Sequence, residues 1–331
     1  MTSAAPDDFR PATRLPPWAP KLEGRRRLRA LPCSGFFLGA NLPWVEYGCD
    51  FGASAWFPQG GLAARTDVRA TFEFSLDRLA ADGITIVRLF VLCDGRSGIR
   101  FDAKGVPTGL DDAFFRDADA VFDAAVWRGI GLVPVLFDFH LCSAPEIASS
   151  VVLGGRSSLI TDPDRRDALF TRIVVPLVNR YREHPAVLAW DLFNEPEWCI
   201  RGIGTPFGTR GIPPEELHAW LRALVACVHS YAPQPVTVGS AGAAYLDFVR
   251  GLDLDVYQIH WYERFGWAAL ADPVERLGLD RPVFLGEFPG RTSAATPAEI
   301  VSAARNAGYA GALIWSVLSQ DPASAYEALS F

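Results

Sequence analysis

The sequence predicts an α/β protein, a (β/α)8 TIM barrel with long loops on the C-terminal face. Three observations carry this. Short apolar runs alternate with longer amphipathic stretches. Connections from helix to strand are short and those from strand to helix are long. Polar residues capable of chemistry cluster directly after the apolar runs.

The apolar runs span residues 36–41, 85–92, 131–137, 187–193, 236–239, 256–260, 283–286 and 312–315. They are apolar on both faces, as strands covered by helices must be. Helical stretches lie between them at 70–82, 112–128, 164–183, 214–231, 243–251, 265–277 and 297–307, and a short last helix is expected at 322–329. Asp162-Pro163, Pro213-Pro214 and Thr296-Pro297 are helix starts, because proline suits the first helical turn. Glycines after Asp82, Arg128 and Ala307 are helix stops. Strands alternating with helices imply a parallel sheet with right-handed crossovers. Closure is the simplest architecture for eight strands. An open doubly wound sheet is the alternative, but no glycine fingerprint follows the first run, which counts against dinucleotide binding.

The chain of 331 residues is long enough for one barrel with inserted loops. Residues 1–34 are rich in Pro and Arg and are expected to form an N-terminal arm, with 35–331 as the catalytic domain. The N-terminal segment has no apolar core of a secretory signal, so a cytoplasmic location is expected. No run of about 18 apolar residues occurs, so no membrane span is expected. A net charge of −7 leaves no basic surplus to neutralise phosphates, and nucleic acid is not expected as a partner. Nothing indicates the oligomeric state. The six cysteines include no C-x-x-C pair, so there is no zinc or redox signature. Cys49, Cys93, Cys142 and Cys199 each follow a predicted strand and could meet on one face; free thiols are the other reading.

The long loops, 42–69, 93–111, 141–161 and 196–213, all belong to the C-terminal face of the barrel, where active sites form. The strand ends there read Arg88-Leu89-Phe90, Phe137-Asp138-Phe139-His140, Asp191-Leu192-Phe193-Asn194-Glu195-Pro196, Gln258-Ile259-His260-Trp261-Tyr262, Phe284-Leu285-Gly286-Glu287-Phe288 and Ile314-Trp315-Ser316. Polar groups directly after buried runs are costly unless they face a wet, functional space. His140 taken alone would read as a satisfied core histidine, but six converging strand ends would not. Glu195 and Glu287 end the fourth and seventh strands, which face each other across the mouth. Two carboxyl groups about 5–5.5 Å apart perform double displacement on a glycosidic bond. The pair must differ in pKa, and Arg88 can keep one carboxylate ionised, or form a salt bridge with Asp191 or Asp138.

Asn194-Glu195-Pro196, followed by Gly286-Glu287-Phe288, resembles clan A glycoside hydrolases, most closely family 5 with its cellulases and mannanases. The ordered set Arg88, His140, Asn194-Glu195, His260-x-Tyr262, Glu287 and Trp315 carries the resemblance from about residue 36 to 315. It implies a retaining β-glycosidase acting on a β-linked glucan or mannan, an oligosaccharide or a glycoside. Glu195 would be the acid/base and Glu287 the nucleophile. Asn194 would bind the sugar 2-hydroxyl, Arg88 and Tyr262 would hold the nucleophile, His140 and His260 would contact substrate or acid/base, and Trp315 would be the sugar platform. No metal or organic cofactor belongs to such a mechanism.

The loop from Asn41 to Gly52 is aromatic and acidic, unlike a general cellulase loop. Trp44, Glu46 and Asp50 in it, and Trp198 beyond the fourth strand, are candidate substrate contacts. Glu46 and Asp50 could equally be plain loop residues. Two or three of Trp44, Trp56, Trp198, Trp261 and Trp267 are expected to stack on sugar rings, with core packing as the alternative use of tryptophan. Asp191 reads as a buried hydrogen-bonding residue. Two alternatives stay open: a transglycosylase using the same glutamates, or a silent carbohydrate-binding barrel.

Overall fold

The computed structural model describes residues 35–203, 211–263, 270–318 and 320–326. The expected arm, 1–34, lies outside them. Eight parallel strands close into a barrel in sequence order: Phe37–Asn41, Ile86–Cys93, Gly131–Asp138, Trp190–Asn194, Val236–Ser240, Tyr257–His260, Val283–Pro289 and Gly311–Trp315. The open sheet is thereby excluded, since the first strand pairs with both the second and the eighth.

Helix boundaries follow the local chemistry. Asp162 caps the helix Pro163–Leu169 by accepting from the N–H groups of Asp164 and Arg165. Thr296 and Glu299 form a reciprocal capping box at the start of Pro297–Ala307, and Gly308 ends it at φ +92°. The helices Thr66–Ala81, Asp112–Trp127 and Pro214–Tyr231 match their patterns closely. Four expectations change. The helix expected at 243–251 is a 3-10 turn at Ala243–Tyr245 followed by a single α turn at Leu246–Val249. The stretch expected as one helix at 164–183 is Pro163–Leu169, a π turn at Phe170–Val174 and Val175–Arg180. Of the helix expected at 265–277, residues 264–269 lie outside the described residues, and Val274–Leu277 is a single 3-10 turn. Residues 322–326 are not helical, and 327–331 lie outside the described residues. The long loops also hold two hairpins not expected from the sequence, Ile99–Phe101 with Pro107–Leu110 and Glu146–Ala148 with Val151–Leu153. Strands of three or four residues are too short for alternation to show.

The barrel interior is layered. Phe37, Ile86, Val133, Leu188, Val256, Phe284 and Leu313 make an apolar floor. Side chains two residues further along a strand point the same way. Above Ile86 therefore comes Arg88, then Phe90, and above Val256 come Gln258 and His260. The result is a polar layer on an apolar floor, capped at the mouth by Phe90, Val135 and Trp315. Simple alternation from Phe284 would send Glu287 outward. Instead the pairing between sixth and seventh strands slips, so that Ile259 faces Leu285 and His260 faces Glu287. That irregularity, at Gly286, turns the Glu287 carboxylate into the barrel.

Candidate active site

The polar layer is organised around Arg88, which has no exposed surface. Its guanidinium donates to Asp191 Oδ2 at 2.8 Å, Glu287 Oε1 at 2.7 Å, Asn194 Oδ1 at 2.7 Å and Asn41 Oδ1 at 3.2 Å. Both readings of Arg88 thus hold together: it bridges Asp191 and it holds Glu287. Burial opposes its charge, but the two carboxylates outweigh this and hold its pKa above the ordinary value.

Glu287 is 4 % exposed, and its second oxygen accepts from the Tyr262 hydroxyl at 2.7 Å. Burial pushes its carboxyl above the usual range, and Glu195 adds to the push; His260, Arg88 and the Tyr262 hydrogen bond pull it back. Burial, with the charges of Glu287 and Glu195 beside it, raises Tyr262 well above an ordinary phenol, so it stays a donor. Glu195 follows the fourth strand in the left-handed conformation, φ 50° and ψ 55°. Its Oε1 lies 2.8 Å from His260 Nδ1, and its Oε2 accepts from Trp198 Nε1 at 2.6 Å. Oxygens of the two glutamates and a nitrogen of His260 lie within 4.8 Å of one another. That is the spacing of a retaining pair. Three such groups could also surround a metal ion. Here, however, each is committed within the protein, and the Arg88 guanidinium already supplies positive charge beside Glu287.

Above the pair opens a cavity of about 930 Å3, lined by Asn194, Glu195, Tyr262, Glu287, Trp44 and Trp315 among others. Trp315 is buried against the edge of Trp44, with ring centroids 5.9 Å apart, and its Nε1 donates to Asp321 at 2.9 Å. His140 is exposed on the cavity wall, with Nδ1 3.3 Å from Ser143 Oγ.

Over 321 residues the chain is 25% identical to a mannan endo-1,4-beta-mannosidase of Mytilus edulis, covering 85% of this chain and 83% of that protein. A second mannan endo-1,4-beta-mannosidase, from Cryptopygus antarcticus, is 23% identical over 322 residues, covering 85% and 80%. The solved beta-mannanase of the blue mussel superposes with a TM-score of 0.71 at 23% identity, covering 86% of this chain and 87% of that one. The endo-1,4-beta-mannanase of Eisenia fetida gives 0.72 at 23% identity, covering 88% and 87%. No family model matches the chain.

The chain is a glycoside hydrolase, similar to the family-5 mannanases of clan A.

As such it is a retaining enzyme with a carbohydrate substrate. Several residues of this hydrolase do not stand where the sequence suggested. Glu46 pairs with Arg65 and does not line the cavity. Asp50 is 4 % exposed and accepts from the N–H groups of Val45 at 2.6 Å and Glu46 at 2.9 Å. It braces the aromatic loop from inside, and burial pushes its carboxyl up to about 7. Trp198 is buried and holds Glu195 rather than lining the cavity. Trp261 is core, Trp56 donates to the Ala148 carbonyl, and Trp267 lies outside the described residues. Of the two contacts expected of His260, the structure shows the one to Glu195, from beneath it rather than from the cavity wall. Glu197 is fully buried, accepting from Ser240 Oγ at 2.5 Å and the N–H of Ala241 at 3.1 Å. The four cysteines past the strands are buried free thiols, one of the two readings the sequence offered.

The aromatic loop expected as a wall of the sugar site does line the cavity through Trp44 and Tyr47, beside Asp94 and Arg96, to which the sequence reading gave no role. The Tyr47 hydroxyl donates to both oxygens of Asp138, at 2.8 and 2.9 Å, and Arg96 lies over the Tyr47 ring while pairing with Asp94. Burial raises Asp138 to about 6. The sequence reading put Asn41 and Gln258 at strand ends but gave them no role, although Gln258 lies one pleat repeat from His260.

Proposed function

We propose that the enzyme hydrolyses β-1,4-linked mannan or manno-oligosaccharides, with Glu287 as nucleophile and Glu195 as acid/base. The carrying observation is the pair of glutamates within 4.8 Å, each held by different partners. Glu287 faces a guanidinium and a phenol, which stabilise a carboxylate. Glu195 faces two ring nitrogens, Nε1 of Trp198, which donates, and Nδ1 of His260, and the open cavity. The mannanase relatives support the sugar.

In the first step a Glu287 oxygen attacks the anomeric carbon, and the bond to the leaving oxygen breaks as Glu195 gives that oxygen a proton. The product is a glycosyl ester on Glu287. In the second, Glu195 takes a proton from water while the water oxygen attacks the same carbon, and Glu287 leaves as carboxylate. Two inversions give net retention. The Trp315 ring offers a floor for the sugar, and Asn194 a polar contact beside the reacting carbon.

Anomer-resolved NMR of manno-oligosaccharide hydrolysis tests substrate and stereochemistry together. The β-anomer should appear first; an initial α-anomer, or no turnover of mannosides alongside turnover of glucosides, would reject the reading. Glu287→Gly should abolish turnover with the fold intact. Glu195→Ala should slow substrates with poor leaving groups by about 10²–10⁴-fold and activated aryl glycosides far less. Equal damage to both would remove Glu195 from the acid/base role.

A further inference from the structure

We propose that Gln258 is a positioning residue: it fixes the proton of His260 on Nδ1, so that Glu195 can pass its own proton only toward the substrate. This rests on Glu195 being the acid/base.

Gln258 lies two residues before His260 in the sixth strand, so both point into the barrel, and both are 1 % exposed. Its amide Nε2 is 3.0 Å from Asp191 Oδ2 and 3.2 Å from His260 Nε2. Which end of an amide is nitrogen must be argued from its neighbours. Asp191 decides it. Its carboxylate is ion-paired with Arg88 at 2.8 Å, so it only accepts. The amide group facing it must be NH2. The second N–H of that group then points at His260 Nε2, which must offer a lone pair. A neutral ring has one proton, which is left on Nδ1, 2.8 Å from Glu195 Oε1. Burial, the largest influence, lowers the His260 pKa to about 4, so the ring is neutral near pH 7.

The reversed amide fails on two counts. It would set an oxygen against the Asp191 carboxylate. It would also bury two N–H donors where the amide oxygen now has no hydrogen-bond partner. The side chain fits in the space that two glycines on the flanking strands leave open. A Cβ on Gly286 would come within 2.4 Å of Gln258 Cδ, and one on Gly239 within 2.5 Å of its Nε2. The two flanking strands therefore carry glycine where this side chain lies across them.

The consequence is directional. With the proton on Nε2 instead, Nδ1 would become an acceptor 2.8 Å from Glu195, and the acid could lose its proton to the ring. With it on Nδ1, the ring can only donate.

Ring 15N–1H NMR of the full-length, 15N-labelled protein at pH 7 tests this. There are five histidines, and the His260 signals are those lost in His260→Asn. The expected wild-type pattern is a single Nδ1–H tautomer. Gln258→Met should show both tautomers. Its kcat/KM should fall by about 10-fold on poor leaving groups, part of the roughly 10²–10⁴-fold that a positioned proton donor contributes. Activated aryl glycosides should change little. Gln258→Glu, which offers His260 Nε2 an acceptor, should move the proton to Nε2. A wild-type Nε2–H tautomer would overturn the proposal even if neither variant folded. So would a Gln258→Met protein that keeps pure Nδ1–H and its leaving-group dependence. The tautomer is read without turnover, so failure of the Glu195→Ala leaving-group test would reject the acid/base reading separately.

Discussion

Replacing Arg88 by Met should lower stability by about 3–5 kcal/mol at neutral pH, the usual cost of removing one partner from a buried ion pair. Methionine replaces most of the aliphatic stem but none of the donors. Four acceptors on three other strands lose their partner, and two are carboxylates, Asp191 and Glu287, with side chains 0 % and 5 % exposed. Against a total stability of about 5–15 kcal/mol this is a large fraction. The sign of the pH dependence follows from Glu287. Its carboxyl is already raised by burial, and loss of the guanidinium raises it further. A raised carboxyl contributes stability that is fully present below the unfolded value of about 4.3 and lost as pH rises through the folded value. The deficit relative to wild type should therefore be small near pH 4 and grow toward pH 8. Urea titrations at several pH values, read as midpoint and slope, measure it. The acid limb of activity should also move to higher pH, because the nucleophile must be ionised. A deficit below about 1 kcal/mol at neutral pH, or one independent of pH, would refute the view that Arg88 neutralises these carboxylates.

Two further outcomes are expected. Burial raises Glu197 to about 7 from 4.5, so wild-type stability should fall by roughly 3 kcal/mol as pH climbs through that value, at 1.36 kcal/mol per unit. Glu197→Gln should flatten a plot of Tm against pH between about 5 and 9; a variant as pH-sensitive as its parent would show that this carboxyl is not the source. Gly286→Ala would place a methyl 2.4 Å from Gln258 Cδ and should cost about 1–3 kcal/mol by overpacking. Thermal unfolding measures it, and an unchanged Tm would mean that the strands yield more readily than their spacing suggests.

The eight strands and their ring were legible because each buried strand announces itself locally, as an apolar run that ends in a polar loop, several of them after a glycine helix stop. Arg88, Asn194, Glu195, His260, Tyr262, Glu287 and Trp315 were legible for a related reason: in a parallel barrel, strand ends must converge. Loop residues obey no such rule. Glu46 meets Arg65, 19 positions away, and nothing in its neighbourhood distinguishes that from a sugar contact. Asp50 folds back on N–H groups four and five residues earlier, a turn chemistry that composition does not reveal. Trp198 is near Glu195 in sequence, but a single turn decides whether an indole faces a cavity or a carboxylate. Gln258 was read at its strand end but given no role, because an uncharged glutamine suggests no chemistry, although its alternation with His260 already placed both on one face.

Glu195 occupies a backbone shape that L-amino acids resist by about 1–2 kcal/mol. That burden falls on any residue with a β-carbon installed there, whatever its chemistry. Only glycine escapes it. Glycine there would relieve the backbone but strand the buried Trp198 N–H that now donates to Glu195, so the fold holds this residue by its side chain against the preference of its main chain.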